Sequence, residues 1–456
     1  MSLRQANSYK EGSFIDRPRH TCALGGALFT LRALSRVIPI IHASPGCGYN
    51  VYTAFNAGAG YLGGGYCGGA AWPSSNVVEN EIVFGGEDRL KEQILSTLEL
   101  MDGDLYVVVS GCMVEMIGDD LLTVVASIKD SPAPLLAVPT PSFKGNSYDG
   151  YDIILEGLFE GLTRRQTRKE KGLLNILGIV PGQDVFYRGN LSELKRLLEA
   201  LGFKVNSFFG DGEDISSIRR AARAEATILL SDVAGQKAAS FLEDARGVPT
   251  LKLPFPIGAQ ETENFLKGVA KALGLRDSKV QKLLSFENRR YYEYLERAAD
   301  IYNDIDLQRY TVIVADSNYA PSVSNFVSEE LGFVPVLTVV TDPLTEEKQK
   351  EVLLRFHSSG DLPRPLVRFG TQTSDSARFL REAWAPVSNH RYSFTLSPGL
   401  VIGSVYEREL AEDYSLPLVT LSFPATNRVV FQEARAGYLG GLTLASEIFT
   451  TLVSGR

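Results

Sequence analysis

At 456 residues the chain is too long for one hydrophobic core, and about three domains of ordinary size are expected. Charged residues make up 22% and hydrophobic residues 44%, which excludes a disordered chain, and a net charge of -8 offers no footing for nucleic acid or an anionic membrane. No apolar run approaches the roughly 20 residues of a membrane span, the polar N-terminus lacks a signal-peptide core, and four cysteines are too few for a disulfide framework; a cytoplasmic protein with reduced thiols is expected.

In chain order, "RHTCALGGALFTLRAL" places Cys22 just before or at the start of a helix rich in small residues. The apolar run "RVIPII" leads into the turn "SPGCG", which carries Cys47 ahead of a second helical segment. "DLYVVVSGC" (104–112) reads as a buried strand that enters a turn at Cys112, with a helix through "DDLLTVVASIK" behind it. "LLNILGIVPG" (173–182) is another strand, and the helix "NLSELKRLLEALG" after it stops at Gly202. "YTVIVADSNYA" (310–320) starts a third unit, followed by the helix "SVSNFVSEELGF" and the strand "VPVLTVVTD". "PGLVIGSVYERELAEDYSLPLVTLSF" contributes two further strands. Repeated strand, turn and helix argue for several α/β units with parallel sheets. Charged seams at "TRRQTRKEKG" (163–172) and after "FENRRYYEYLERAADIYND" (286–304) divide the chain into expected domains 1–170, 171–305 and 306–456.

Several familiar chemistries find no support. "GAGYLGGG" (58–65) matches Gly-x-Gly-x-x-Gly at Gly58, Gly60 and Gly63, but no strand precedes it and more glycine follows, so it reads as a flexible loop. There is no Gly-x-x-x-x-Gly-Lys-Ser/Thr for a phosphate loop and no Gly-x-Ser-x-Gly elbow for a serine hydrolase. His20, His42, His357 and His390 are widely spread and form no zinc-type pair, so each reads as structural. The repeated string "GYLGG" (60–64 and 437–441) reads as coincidence in a glycine-rich chain.

The cysteines are more informative. Cys22, Cys47 and Cys112 share one context, a turn feeding a helix N-terminus with glycine nearby. Exposed amides and helix dipoles favour thiolates and anionic sulfides there, and glycine admits a bulky inorganic core. Any one of them alone reads as a buried thiol. The three together favour ligands of an iron–sulfur cluster, although three thiolates do not complete the usual set of four. Another residue type or a second chain must supply the rest. Cys67, in "GGGYCGG", lacks this context and is not read as a ligand.

"CALGGALFTLRALSRVIPIIHASPGCGYN", "EIVFGG" and "GCMVEMIGDDLLTVV", in that order, resemble the N-terminal domain of the nitrogenase component 1 superfamily. "TPSFKGNSYDGYDIILEGL", "NILGIVPG" and "LVIGSVYERELAEDYSLPLVTLSFPATNR" resemble later segments of its β-type (K-type) subunits, so the likeness covers nearly the whole chain. It implies an α/β fold of three Rossmann-like domains with parallel sheets. It also implies a D-type partner in an α2β2 heterotetramer, with an [8Fe-7S] P-cluster held at their interface by three cysteines from each chain. Matched motif to motif, Cys22, Cys47 and Cys112 are this chain's share. Phe84 of "VFGG" matches the surface where a [4Fe-4S], ATP-hydrolysing reductase component docks, although ordinary helix-start packing is an equally good reading. The active-site metallocofactor is expected in the partner, since no cysteine follows Cys112 here. The resemblance puts the position of a serine that can bind the oxidised cluster near Asn146–Ser147 and leaves open whether this chain supplies it.

Departures from the molybdenum-type β chains point elsewhere for the substrate. Only 21 residues precede Cys22, no C-terminal tail follows "TTLVSGR", and a glycine-rich "NAGAGYLGGGYCGGAAWP" replaces a basic-aromatic segment. The leading expectation from the resemblance is a methylthio-alkane reductase, which cleaves carbon–sulfur bonds. An N-type cofactor-assembly scaffold, a B-type subunit of the protochlorophyllide or chlorophyllide reductases and a shortened nitrogen-fixing β subunit are the alternatives.

Overall fold

Val37–His42 (β1) and Leu105–Ser110 (β2) are buried at every position, so neither strand alternates polar with apolar residues. That is the signature of a parallel sheet covered on both faces by helices. The computed structural model describes residues 17–60, 72–304, 307–357, 365–383 and 399–454. Among these, Leu135–Val138 (β3) completes a first sheet of order β1-β2-β3. Glu170–Leu177 (β4), Lys204–Asn206 (β5), Ala224–Leu229 (β6) and Thr250–Lys252 (β7) form a second, of order β5-β4-β6-β7. Tyr310–Ala315 (β8), Val334–Val340 (β9), Leu366–Phe369 (β10), Leu400–Gly403 (β11) and Leu418–Thr420 (β12) form a third, of order β10-β9-β8-β11-β12.

Every described strand pair is parallel, as the sequence pattern requires. One apolar cluster runs through all three sheets and includes Ile41, Val107, Leu174, Ile228, Ile313 and Ile402. No helix among the described residues is long and apolar enough to cross a membrane.

Among the described residues, seven α-helices precede, link and follow the strands of the first sheet: α1 (Ala23–Ala33), α2 (Pro45–Thr53), α3 (Glu79–Phe84), α4 (Glu87–Leu100), α5 (Cys112–Ile117), α6 (Leu121–Ser127) and α7 (Ser147–Leu162). The helix expected through 119–129 is therefore α6 alone, and the shorter α5 separates it from β2. Tyr187–Ala200 (α8) follows β4, and Gly202 beyond it adopts φ +84°, the left-handed stop expected there.

Small residues decide how α1 meets α7. A Cβ on Gly26 would lie 2.1 Å from the Ser147 carbonyl oxygen, and one on Gly150 2.1 Å from that of Ala23. Only glycine permits so close an approach. The pair locks the start of α1, and with it Cys22, against the start of α7. The segment before α1 is pinned to the third sheet. Arg19, 3% exposed, pairs with Glu407, 0% exposed, at 2.6 Å and donates to Ser404 Oγ at 3.1 Å.

Candidate metal centre

In a parallel sheet all strands end on the same edge, and ligands collect in the loops there. Cys47 lies just past β1, Cys112 just past β2, and Ser142 just past β3. The sequence pattern placed Cys47 on a turn; in the structure Pro45 opens α2 and Cys47 sits in its first helical turn. A proline is well suited to that opening position, because its missing N–H would be unpartnered anyway. Cys112 is the first residue of α5, and Cys22 is the N-cap of α1.

Close backbone contacts join the segments that carry the three cysteines. Gly111 donates its N–H to the His42 carbonyl at 2.8 Å, drawing the end of β2 against the end of β1. A Cβ on Gly111 would stand 2.6 Å from Ala43 Cβ and 3.7 Å from Cys47 Sγ. Cys22 is brought to the loop after β3 by a bridge to Asn146 and by the Ala23 N–H, which donates to the Gly145 carbonyl at 3.0 Å. Partial burial pushes the Cys22 thiol up; the Gly25 and Leu24 amides oppose this, while Cys112 and Cys47 add to it. Cys22 thus feels both other thiols.

None of the three is in a disulfide, and all are at least partly open to solvent. Among the described residues no three His, Cys, Asp or Glu side chains are close enough to hold a single metal ion. A polynuclear iron–sulfur cluster makes no such demand, because each thiolate takes a different iron.

A serine joins the cysteines, and it was not singled out from the sequence. Ser142 Oγ lies 2.6 Å from Cys112 Sγ, and the Ser142 N–H donates to the same sulfur at 3.1 Å. Asn146 and Ser147, near which the resemblance puts such a serine, do other work. Asn146 caps α7 by accepting the Tyr148 N–H at 2.9 Å, and Ser147, fully buried, donates to Gln183 Oε1 at 2.8 Å. The missed signal was positional: "TPSF" follows the third strand of the same sheet, on the edge that carries the cysteines. Ser44 Oγ stands 3.5 Å from Cys47 Sγ.

Apolar side chains frame this edge. Tyr49 and Phe143, beside Cys47 and Ser142, are 71% and 65% exposed. Farther along, α3 ends in Val83 and Phe84, 70% and 82% exposed, with Met116 of α5 also open. Phe84 is therefore the end of a helix and not its start, and it packs into no core. Cys67, Gly63 and His390 lie outside the described residues. Gly58 is the last residue of a short helical turn, Ala54–Gly58, that continues α2, so helix rather than strand leads into Gly60.

Of the histidines, His42 is fully buried between Ser75 and Asp119, its Nδ1 2.9 Å from Ser75 Oγ and its Nε2 2.9 Å from Asp119 Oδ2. Burial pushes it below its ordinary range, with Asp119 pulling the other way. His357 meets Glu329 at 2.9 Å. His20 packs against Tyr148 at a 57° tilt, with ring centroids 5.0 Å apart.

The junction of the sheets holds a narrow cleft lined by Tyr148, Asp184, Asp316, Asn318, Tyr319 and Asp342 among others. Burial raises Asp184 to about 6 and Asp316 to about 8. No cysteine or histidine lines this cleft.

Residues 22–453 match the family described as nitrogenase component 1 type oxidoreductase. The nitrogenase molybdenum-iron protein beta chain of Sinorhizobium fredii is 28% identical, over 98% of this chain and 86% of that protein. The nitrogenase iron-iron protein beta chain of Rhodobacter capsulatus is 25% identical, over 99% and 96%. A solved structure described as nitrogenase Cp1 at pH 6.5 superposes with a TM-score of 0.77 at 22% identity, covering 98% of this chain and 95% of that one.

Proposed function

This chain belongs to the nitrogenase component 1 type oxidoreductases, and from that premise we propose that it is the β-type subunit of a nitrogenase-like reductase. The observation that carries the reading is the convergence of Cys22, Cys47 and Cys112 on one open sheet edge. Half of an [8Fe-7S] cluster would be held by these three thiolates, with a D-type partner supplying the other half across the face that Tyr49 and Phe143 leave exposed. Such a cluster supplies reversible electron storage when bound. The chain's own groups do the rest. The amides at the starts of α1, α2 and α5 stabilise anionic sulfur, and Ser142 offers an oxygen beside Cys112.

Phe84 and Val83 form the exposed tip of α3, where a [4Fe-4S], ATP-hydrolysing reductase component would dock. An active-site metallocofactor belongs in the partner. The crevice at this chain's own sheet junction is lined by carboxylates and phenols, which are poor ligands for a soft iron–sulfur core. The complex would be an α2β2 heterotetramer in the cytoplasm.

For the substrate, reductive cleavage of methylthio-alkanes is the leading reading. Each carbon–sulfur bond would take two electrons from the reductase component and two protons, giving a thiol and a hydrocarbon. Its support is the family resemblance together with the glycine-rich "NAGAGYLGGGYCGGAAWP" where molybdenum-type β chains carry a basic-aromatic segment. A nitrogen-fixing β subunit or an N-type assembly scaffold are the alternatives. The test supplies the anaerobically purified complex with its reductase component, ATP and ethyl methyl sulfide, and separately with dinitrogen. Methanethiol and ethane support the reading, ammonia makes the chain a nitrogen-fixing subunit, and neither product makes it a scaffold.

A further inference from the structure

We infer that Asp119, held by His42, is a positioning residue that couples the tip of α3 to the helix starts bearing Cys47 and Cys112. The inference rests on the docking role proposed for that tip.

Asp119 sits where three segments meet. It follows Gly118, the left-handed cap of α5, and its N–H donates to the Val114 carbonyl at 3.1 Å. Its Oδ1 accepts the Gly86 N–H at 2.9 Å, two residues past Phe84. Its Oδ2 faces His42 Nε2 at 2.9 Å, on the last residue of β1. The His42 carbonyl in turn accepts the Gly111 N–H, next to Cys112. A carboxylate only accepts, so His42 carries its proton on Nε2, and Nδ1 accepts from the Ser75 hydroxyl.

The fit leaves no slack. A Cβ on Gly86 would lie 2.6 Å from Asp119 Oδ2 and 3.0 Å from His42 Cε1. The side chains of His42 and Asp119 are 0% and 3% exposed, so no water can stand in for a broken bond. The entry to α3 is tied to the same edge, because the Val77 N–H donates to the Ala43 carbonyl at 3.0 Å. A push on Phe84 is therefore carried through Gly86 and Asp119 to the ends of β1 and α5. The step served is the transfer of one electron, the reductase component being oxidised and this complex reduced, with no bond made or broken in the chain.

The test is hydrogen–deuterium exchange on the anaerobic complex, with and without its reductase component locked on by a non-hydrolysable ATP analogue. In the wild type, docking should slow exchange over residues 79–86 and also alter it in the peptides bearing Cys47 and Cys112. In Asp119→Asn, protection over 79–86 should remain and the change at the cysteine peptides should be lost, with iron content unchanged. Asparagine keeps the shape and removes the charge, and His42 can meet its amide only by moving the ring proton to Nδ1, so the variant tests the charged tie itself. His42→Gln, which retains a donor for Asp119, should restore what His42→Phe abolishes; these variants are read in the same way if Asp119→Asn does not assemble. Changes at the cysteine peptides that persist in Asp119→Asn and His42→Phe would overturn the coupling while leaving the docking reading intact. Loss of iron in these variants would also overturn it, making the pair a scaffold element. No protection over 79–86 in the wild type would remove the docking reading and the coupling with it.

Discussion

Gly111 and Ala43 meet so closely that a single methyl group on Gly111 would stand 2.6 Å from Ala43 Cβ. The contact joins the ends of two parallel strands and sets the spacing of Cys47 and Cys112. Gly111→Ala should force the two turns apart, costing about 1–3 kcal/mol as other overpacked sites do. Iron bound by the purified complex should fall with it. Chemical denaturation and iron analysis of the same preparation check both halves, and a variant with full iron would show that the two turns tolerate separation.

The closeness of α1 and α7 makes a second prediction. In Gly150→Ala the new Cβ would be 2.1 Å from the Ala23 carbonyl, which is backbone and cannot rotate away. A loss of about 2–4 kcal/mol is expected, at the upper end for overpacking. Because Cys22 caps α1, its reactivity towards a thiol reagent in the iron-free chain should rise as the helix start loosens.

Arg19 and Glu407 form a pair sealed from solvent. Removing one partner leaves the other charge buried and uncompensated, so Arg19→Met should cost about 3–5 kcal/mol. Thermal melting should show the loss, with little dependence on salt, because a buried pair is weakly screened. A change below about 0.5 kcal/mol would mean that the segment before α1 is not anchored through this pair.

Stability should also depend on pH through Asp152, a buried residue of α7 whose carboxyl is raised to about 7 mainly by burial. The folded chain holds this proton at pH values where the unfolded chain has released it. The stabilisation is complete below the ordinary carboxyl range near 4 and is lost as pH rises through about 7. Glu330, also raised to about 7, acts in the same direction. Asp152→Asn keeps an acceptor for the Ala238 N–H, which donates to Oδ1 at 3.0 Å, and removes the titration. Unfolding free energies from urea titrations at pH 5 and pH 8 should differ less in the variant than in the wild type, by about 1.4 kcal/mol for each pH unit over which the proton difference persists.

Phe84→Ala should weaken docking of the reductase component about 5- to 100-fold, the range of an exposed aromatic anchor, and leave bound iron unchanged. Titration of electron flux against the reductase component measures this. An unchanged midpoint would leave the exposed tip of α3 without a partner.

Much of the fold was legible because parallel strands covered on both faces read as unbroken apolar runs, as in "YVVVS" of β2. The three cysteines were legible as a set because each stands at the cap or in the first turn of a helix. What put them on one edge was not, since it depends on β1, β2 and β3 pairing across long stretches of chain. Ser142 was missed for that reason: a serine in a short turn has no local signature until its strand is placed beside β2. Asn146 and Ser147 drew attention instead, and they turn out to serve a helix cap and a buried hydrogen bond. His42 was read as structural, and its burial agrees, but its partner Asp119 is 77 residues away and no pattern in either neighbourhood links them.

The central claim is that Cys22, Cys47 and Cys112 hold half of a shared iron–sulfur cluster. The most direct measurement is iron per pair of chains in the complex purified anaerobically, wild type against Cys47→Ala. The account predicts a D-type partner and iron well beyond about eight per pair in the wild type, with about eight lost in the variant while its melting temperature stays close to the original. Full iron in Cys47→Ala, or a wild-type complex that binds none, would contradict it.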